Sequence, residues 1–415
     1  MVPQMTQMGE RARNAARQLA AASALTRDRA VRLIADALTE RGEALLEANA
    51  RDMDAARANG MSDALLDRLE LTAGRLIAIA DGVRQVAALD DPLGAGEVKT
   101  RPNGLIVMRK SVPLGVVAFI YEGRPNVTAD AAALCVKSGN AVILRGSSGA
   151  INSNIAIVSV IRECLIQAGL PEDCVQLIED TTRESTETLM RMTGYVDALI
   201  PRGGAGLIRA VVENSKVPVI ETGIGICHLY VDSAANLDSA VEICYNAKTS
   251  RPSVCNAIEQ LIVHSDVAET FLPMVKRRLD EKHVELRGDA AVRAILPDAL
   301  PATEEDYRTE FLDYILAVKC VNSVDAAIAH INATGSGHSE AIVTRDYGNA
   351  QRFLNEVDAA AVYVNASTRF TDGFEFGLGA EIGISTQKLH ARGPMGLREL
   401  TSYKFVVYGD GHVRE

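Results

Sequence analysis

The chain has 415 residues, room for two to three domains at ~150 residues each. Its hydrophobic fraction of 47% with 23% charged residues is that of an ordinary globular protein. A formal charge of −11, from 43 basic against 54 acidic residues, argues against a nucleic-acid partner. So does an aromatic content of 4% without Trp, which offers few rings for stacking on bases.

A chain of this size buries ~75% of its unfolded surface and needs no disulfide or metal staple. The longest uninterrupted apolar run, Pro113 to Tyr121, is far short of the ~20 residues of a membrane span. Met1 to Glu10 lacks a basic region followed by an apolar core, so no secretory signal is expected. The odd set of seven cysteines, without a C-x-x-C pair, reads as reduced thiols in a cytoplasmic chain.

In chain order, the first ninety residues read as helices, with Val31, Ile34, Leu38 and Leu45 at helical spacing. Breaks are expected at Asn59-Gly60, with Ser62 as a cap, and at Thr72. A turn-rich hinge over 91–96 leads into a hairpin, Val98–Arg101 and Leu105–Arg109, with Asn103-Gly104 at its tip. From residue 113 short β-rich runs alternate with helical stretches: 116–121, 141–145, 175–178, 197–201, 218–220 and 228–231. A second series follows with strands at 257–264, 316–321 and 341–344. This alternation predicts parallel sheets covered by helices. The strand-like stretch Thr401–Tyr408 is a candidate partner for the hairpin.

Two glycine-rich corners follow strands and open helices: Gly146 to Gly149 after Arg145, and Gly203 to Gly206 after Arg202. Backbone N–H groups and the helix dipole favour phosphate at such corners, although many serve packing alone. Neither fits G-x-G-x-x-G. Cys255 sits in a Pro-containing turn with Lys248 and Arg251 nearby, the electropositive setting that lowers a thiol pKa. Cys135, Cys164, Cys244 and Cys320 lie in apolar patterns and read as core, as does Cys227 beside His228. The seven His are scattered without H-x-x-x-H, so no metal site is expected.

The order of these features resembles the aldehyde dehydrogenase superfamily: helices, Pro113 to Tyr121, Asn126, Gly139 to Ser147, Ala168 to Pro171, the Gly203–Gly206 loop, Glu221, then a Cys about thirty residues on. The blocks 121–126, 251–256, 362–373 and above all 376–396 are similar to its γ-glutamyl phosphate-reducing branch. That resemblance implies an α/β fold of two Rossmann-like domains plus a β oligomerisation arm. It places an NADP-binding domain at 1–96 and 113–224, a catalytic domain at 225–392, and the arm at 97–112 and 393–415.

The activity implied is the NADPH-dependent reduction of L-glutamyl 5-phosphate to L-glutamate 5-semialdehyde with release of phosphate, the second step of proline biosynthesis from glutamate. By resemblance Cys255 is the nucleophile that forms a thioester and Asn126 an oxyanion donor, with a turn-capping role as the alternative for Asn126. Arg145, Gly146, Ser147, Arg202, Gly203, Gly204 and Glu310 take cofactor positions, and Arg145 suits the 2′-phosphate of NADP(H). Glu310 reads almost equally well as a solvated acid. Charge matching makes Arg124, Lys248, Arg251 and Arg369 candidates for the anionic ends of the substrate and Asp372 for its amine.

Glu221 stands where hydrolytic relatives activate water, which here is an unwanted competitor, so a structural or proton-relaying role is the main reading. The resemblance further implies at least a homodimer, and it is compatible with a glutamate 5-kinase partner that hands over the acyl phosphate. Three alternatives stay open: another acylating aldehyde dehydrogenase, a hydrolytic one, and a non-catalytic descendant of the fold.

Overall fold

The computed structural model describes residues 3–414. The ends of the expected domains at residues 1, 2 and 415 lie outside the described residues. The chain divides into two compact units. The first comprises Met1–Thr222, Leu378–Gly383 and Met395–Glu415; the second comprises Gly223–Gly377 and Ile384–Pro394.

The first unit opens with five helices: Pro3–Ala21, Ala24–Glu40, Gly42–Ala58, Asp63–Leu69 and Ala73–Ala88. Their apolar faces carry the expected spacing, for Val31, Ile34, Leu38 and Leu45 are all buried. Gly60, at φ +71°, makes the break after Ala58, because a left-handed conformation costs glycine nothing. Thr72 caps as expected, its hydroxyl accepting from the Arg75 N–H at 3.2 Å. Ser62 occupies a cap position but makes no side-chain cap bond. Two breaks were not expected from the pattern, at Arg41 and at Ser23, whose hydroxyl accepts from the Thr26 N–H.

A hairpin follows, β1 (Gly96–Thr100) and β2 (Ile106–Pro113), and the C-terminal strand Thr401–Tyr408 pairs antiparallel with β2 along its length. These strands are largely exposed on both faces, so they form a projecting ribbon rather than a core sheet. The core sheet of this unit is parallel, with β3 (Val116–Tyr121), β4 (Ala141–Arg145), β5 (Val175–Leu177) and β6 (Ala198–Arg202) in the order β5-β4-β3-β6. Every residue of β3 is buried, which explains its continuous apolar run: a central parallel strand is covered on both faces.

The expected strand at 218–220 is reduced to a single bridge, Leu199 to Val219. Pro218 has no N–H to give a ladder, so the segment can only edge the sheet. The helix Ile151–Gln167 and its preceding turn are long and apolar enough to cross a membrane by length and composition, yet half of that stretch is buried inside the protein. Its Asn154 and Ser153 side chains are bonded to Thr128, Asn49 and Asp52, as in a core helix.

The second unit is built on a seven-stranded parallel sheet. Its strands are β7 (Cys227–Val231), β8 (Ile258–His264), β9 (Glu285–Gly288), β10 (Leu300–Pro301), β11 (Ile315–Val321), β12 (Ser339–Val343) and β13 (Ala361–Val364), in the order β10-β9-β11-β8-β7-β12-β13. The helices Leu237–Thr249, Ser265–Leu279 and Val324–Thr334 connect successive strands. Their inner faces and the strands bury a core that runs from Cys227 through Phe271 and Leu286 to Val343. β9, β10 and the helix Ala290–Ile295 were not expected from the pattern, being too short to show a period.

Candidate active site

In the second unit the turn 250–257 joins the helix Leu237–Thr249 to β8, and Cys255 lies on it. Its side chain is half-buried, whereas Cys135, Cys164, Cys174, Cys227 and Cys244 are buried. Burial pushes the thiols of Cys164 up to about 11 and of Cys174 and Cys244 to about 12, so these are inert at neutral pH. Burial also pushes the Cys227 thiol well above its ordinary value, with the Glu340 carboxylate adding to it. Its thiol donates to the Cys255 carbonyl at 3.1 Å.

The backbone packs hard against this turn. A Cβ on Gly225 would lie 1.6 Å from the Cys255 carbonyl oxygen and 2.5 Å from its Cα, so only glycine fits there. The Gly225 N–H is held by the Glu310 carboxylate at 2.7 Å. Burial raises the Glu310 carboxyl above its ordinary value, and that hydrogen bond opposes the rise. Glu310 is therefore a desolvated carboxylate against the Cys255 turn, not a solvated acid.

Arg369 closes the other side. Its guanidinium donates to the Asn256 side-chain oxygen and, through Nε, to Ser250 Oγ at 3.0 Å. Asn256 returns its amide to the Thr371 carbonyl at 2.8 Å, and Thr368 Oγ1 donates to the Asn256 carbonyl at 2.6 Å. Burial lowers the Arg369 pKa, the Arg251 charge lowers it further, and Asp372 and Cys255 oppose both. Arg251, Cys255 and Asp372 thus all lie within electrostatic reach of the Arg369 guanidinium.

Lys248 is different. It is fully buried, and its ammonium donates to Glu259 Oε2 at 2.6 Å, with both side chains at 0% exposure. Burial lowers the Lys248 pKa and raises that of Glu259, and the pair's attraction opposes each shift. Lys248 is corrected from a substrate-facing cation to an internal counter-ion. Glu259 Oε1 accepts from the Leu312 N–H at 3.1 Å, and Leu312 adopts a left-handed φ of 56° two residues after Glu310. A leucine holds that conformation only under tertiary constraint.

In the first unit, Asn126 begins the helix Asn126–Lys137 rather than capping a turn, and its Nδ2 donates to Asp130 Oδ2 at 3.0 Å. Burial pushes the Asp130 carboxyl up to about 6, with Asn126 and Arg202 opposing. Arg124, Asn126, Asp130, Arg202 and Glu381 line one small pocket over Phe119 and Ile382. Asp130 was not anticipated, although its i, i+4 spacing from Asn126 on a helix was a readable signal. On the reading that Asn126 serves the reaction, as the family resemblance implies, kcat is expected to rise with pH through about 6 as the Asp130 carboxylate forms and orders the Asn126 amide. Asp130→Asn should flatten that limb of the pH–kcat profile, and an unchanged limb in the variant would remove Asp130 from it.

The candidate cofactor loops lie at the carboxyl ends of β4 and β6. Gly146 is buried, and a Cβ there would lie 2.2 Å from Asn154 Nδ2 and 3.2 Å from the Tyr121 ring. Ser147 is half-buried in the following turn. Arg145 donates through Nη1 and Nη2 to the carbonyls of Gly146, Thr181 and Thr182 at 2.7–3.0 Å, near the Asp180 charge. Gly203 and Gly204 are exposed at the start of the ten-residue helix Ala205–Asn214, with Arg202 behind them. The Gly204 N–H is taken by Glu122 Oε2 at 2.9 Å. A carboxylate thus stands where an anionic ligand group is favoured by the free N–H groups of a helix start.

Comparison with known proteins identifies the lineage. The sequence matches the aldehyde dehydrogenase family over residues 3–294 and 282–406. The chain belongs to the aldehyde dehydrogenase family. This family member is 58% identical over 408 residues to the γ-glutamyl phosphate reductase of Carboxydothermus hydrogenoformans, covering 98% of each chain. It is 56% identical over 407 residues to that of Clostridium perfringens strain 13, again with 98% of each covered. The crystal structure of γ-glutamyl phosphate reductase from Thermotoga maritima matches with a TM-score of 0.97 at 49% identity over 99% of both chains. An acetylating aldehyde dehydrogenase from Geobacillus thermoglucosidasius shares the fold at a TM-score of 0.71 and 18% identity. The expected aldehyde-dehydrogenase-like α/β fold is the fold observed.

Proposed function

We propose that the chain is an NADP-dependent acylating aldehyde dehydrogenase of proline biosynthesis that reduces L-glutamyl 5-phosphate to L-glutamate 5-semialdehyde and releases phosphate. One observation carries the reading: end-to-end identity of 49–58% to proteins named γ-glutamyl phosphate reductase, in a chain that retains a half-buried Cys255 within electrostatic reach of Arg369.

The Cys255 thiolate attacks the acyl carbon and the bond to the phosphate oxygen breaks, giving a γ-glutamyl thioester and free phosphate. NADPH, when bound, supplies the hydride that reduces this acyl group. The thiohemiacetal oxyanion on Cys255 collapses, its C–S bond breaking, to aldehyde and the Cys255 thiolate. By family resemblance Asn126 donates to the oxyanion, and Asn126→Ala is expected to lower kcat by about 10²–10³-fold. Arg251 and Arg369 hold the anionic ends of the substrate and Asp372 its amine, while Arg124 remains a second candidate for an anionic end. Lys248 is omitted because its charge is spent on Glu259.

The residues at the strand ends fit a phosphate-bearing cofactor. The Gly204 N–H at this helix start is polarised toward an anion and is held by Glu122 Oε2 at 2.9 Å, which a cofactor phosphate would have to displace. Gly203, Gly204 and Arg202 would hold the cofactor at one loop and Arg145, Gly146 and Ser147 at the other, with Glu310 toward the nicotinamide ribose. We assign cofactor binding to the first unit, catalysis to the second, and assembly to the ribbon. The expected bounds 1–96 with 113–224, 225–392, and 97–112 with 393–415 follow this division, except that 378–383 belongs to the first unit and the ribbon's last strand is Thr401–Tyr408. The arm exposes Val98, Tyr403, Phe405, Val407 and Tyr408, an apolar surface suited to assembly with a second copy.

Arg251→Ala separates substrate binding from cofactor binding. KM for the acyl phosphate should rise at least about tenfold, the loss of one charge-assisted contact, while the Kd for NADPH stays constant. Equal kinetics in variant and wild type would remove Arg251 from the phosphate position.

A further inference from the structure

A cleft in the first unit lies away from the loops assigned to the cofactor. It has a volume of about 620 Å³ and runs between the first two helices, the hinge at 91–94 and the base of the β ribbon. Gly115, Val116 and Asp197 line it, and these stand at the amino ends of β3 and β6. The glycine corners stand at the carboxyl ends of β4 and β6. Along the five residues of β6 the two edges are about 16 Å apart at ~3.3 Å per residue.

The cleft is built from cations. Arg13, Arg17, Arg27, Lys110 and Lys404 line it against only Asp91 and Asp197. Both acids are already matched: Arg27 reaches Asp91 at 2.8 Å, and Arg13 reaches Asp197, which also accepts from the Val116 N–H. Arg17, Lys110 and Lys404 pair with no carboxylate among the described residues. Arg27 is buried to 3% exposure, gives one nitrogen to the Lys137 carbonyl at 2.6 Å, and leaves its Nε without a partner.

The two lysines carry the argument furthest. Lys404 stands directly opposite Lys110 in the antiparallel ladder, so both side chains leave the same face of the ribbon. Like charges at facing positions are destabilising, and among the described residues no carboxylate pairs with either lysine. An anion between the two ammonium groups would. Lysine binds phosphate as a point charge without needing the bidentate fork that favours arginine for carboxylates. The volume is that of an ordinary small-molecule site.

We propose that this cleft binds a small phosphorylated molecule carrying at least two negative charges, at a site separate from the one that performs the reaction. The test is calorimetric titration of the full chain with inorganic pyrophosphate at about 0.15 M salt, where exposed charges alone are largely screened. Wild type, Arg251→Ala and the double variant K110Q/K404Q are compared. Both lysines lie on the ribbon surface, so the double variant is expected to fold and turn over normally.

Saturable binding with a Kd below about 1 mM that survives Arg251→Ala and weakens at least about tenfold in K110Q/K404Q supports the site. Absence of such binding, or binding indifferent to the two lysines, overturns it. Citrate binding as tightly as pyrophosphate overturns the assignment to phosphate. A change of assembly state in K110Q/K404Q by sedimentation, without any pyrophosphate binding, assigns the cleft instead to a contact with a second copy. None of these readouts depends on turnover, so they stand or fall apart from the proposed reaction.

Discussion

Cys255→Ala is expected to abolish turnover, by about 10⁴-fold or more, while leaving the fold intact. Loss of a nucleophile removes the covalent route altogether, and what remains is the binding and electrostatic contribution of the rest of the site. The thiol is half-buried in a turn and not in the apolar core, so its removal leaves no large cavity. Pre-steady-state mixing of the wild type with acyl phosphate in the absence of NADPH should trap the acyl group on Cys255, visible as a mass increase on that peptide. The variant should show neither acylation nor aldehyde formation. Retained turnover in Cys255→Ala would pass the role to another group.

The largest expected loss of stability is at Lys248. Replacing it with Met leaves Glu259 buried without its counter-charge, which typically costs 3–5 kcal/mol, or a fall in Tm of about 10 °C for a domain of this size. The double change Lys248→Met with Glu259→Leu should recover most of that loss, because a well-packed apolar pair of similar volume avoids desolvating two charges. The single variant should also loosen the stretch after Glu310, since Glu259 holds the left-handed Leu312 by its N–H. Hydrogen exchange at 310–312 reads this directly. A Tm within 2–3 °C of wild type, about 1 kcal/mol for a domain of this size, would mean that the pair contributes little.

The architecture was legible where periodicity is strong. Val116–Tyr121, Ala205–Asn214 and the pairing of Thr401–Tyr408 with the hairpin follow from apolar runs, glycine corners and an Asn-Gly turn. Strands of two to four residues, such as Leu300–Pro301 and Glu285–Gly288, carry no period to detect and exist through their neighbours in the sheet. The lineage was legible from the motif blocks, and the full-length family match agrees with it.

The site was legible as residue types and not as partners. Asn256 and Arg369 are 113 positions apart and Gly225 meets Glu310 across 85, and no local rule joins them. Charge matching could not tell Lys248 from Arg251, because their difference lies in burial, which the helix end and the following strand decide together. One clue was readable: Glu259 interrupts the apolar run Ile258–His264, and a carboxylate on a central parallel strand requires a buried cation.

The most direct test of the central claim is the reverse reaction. Glutamate 5-semialdehyde and NADP are mixed with the wild type, and NADPH formation is followed with and without inorganic phosphate. NADPH formation that requires phosphate and saturates with it is the predicted result, because phosphate must release the acyl group from Cys255. Equal rates with and without phosphate would contradict the account, make water the acyl acceptor, and return Glu221 to the role of its base.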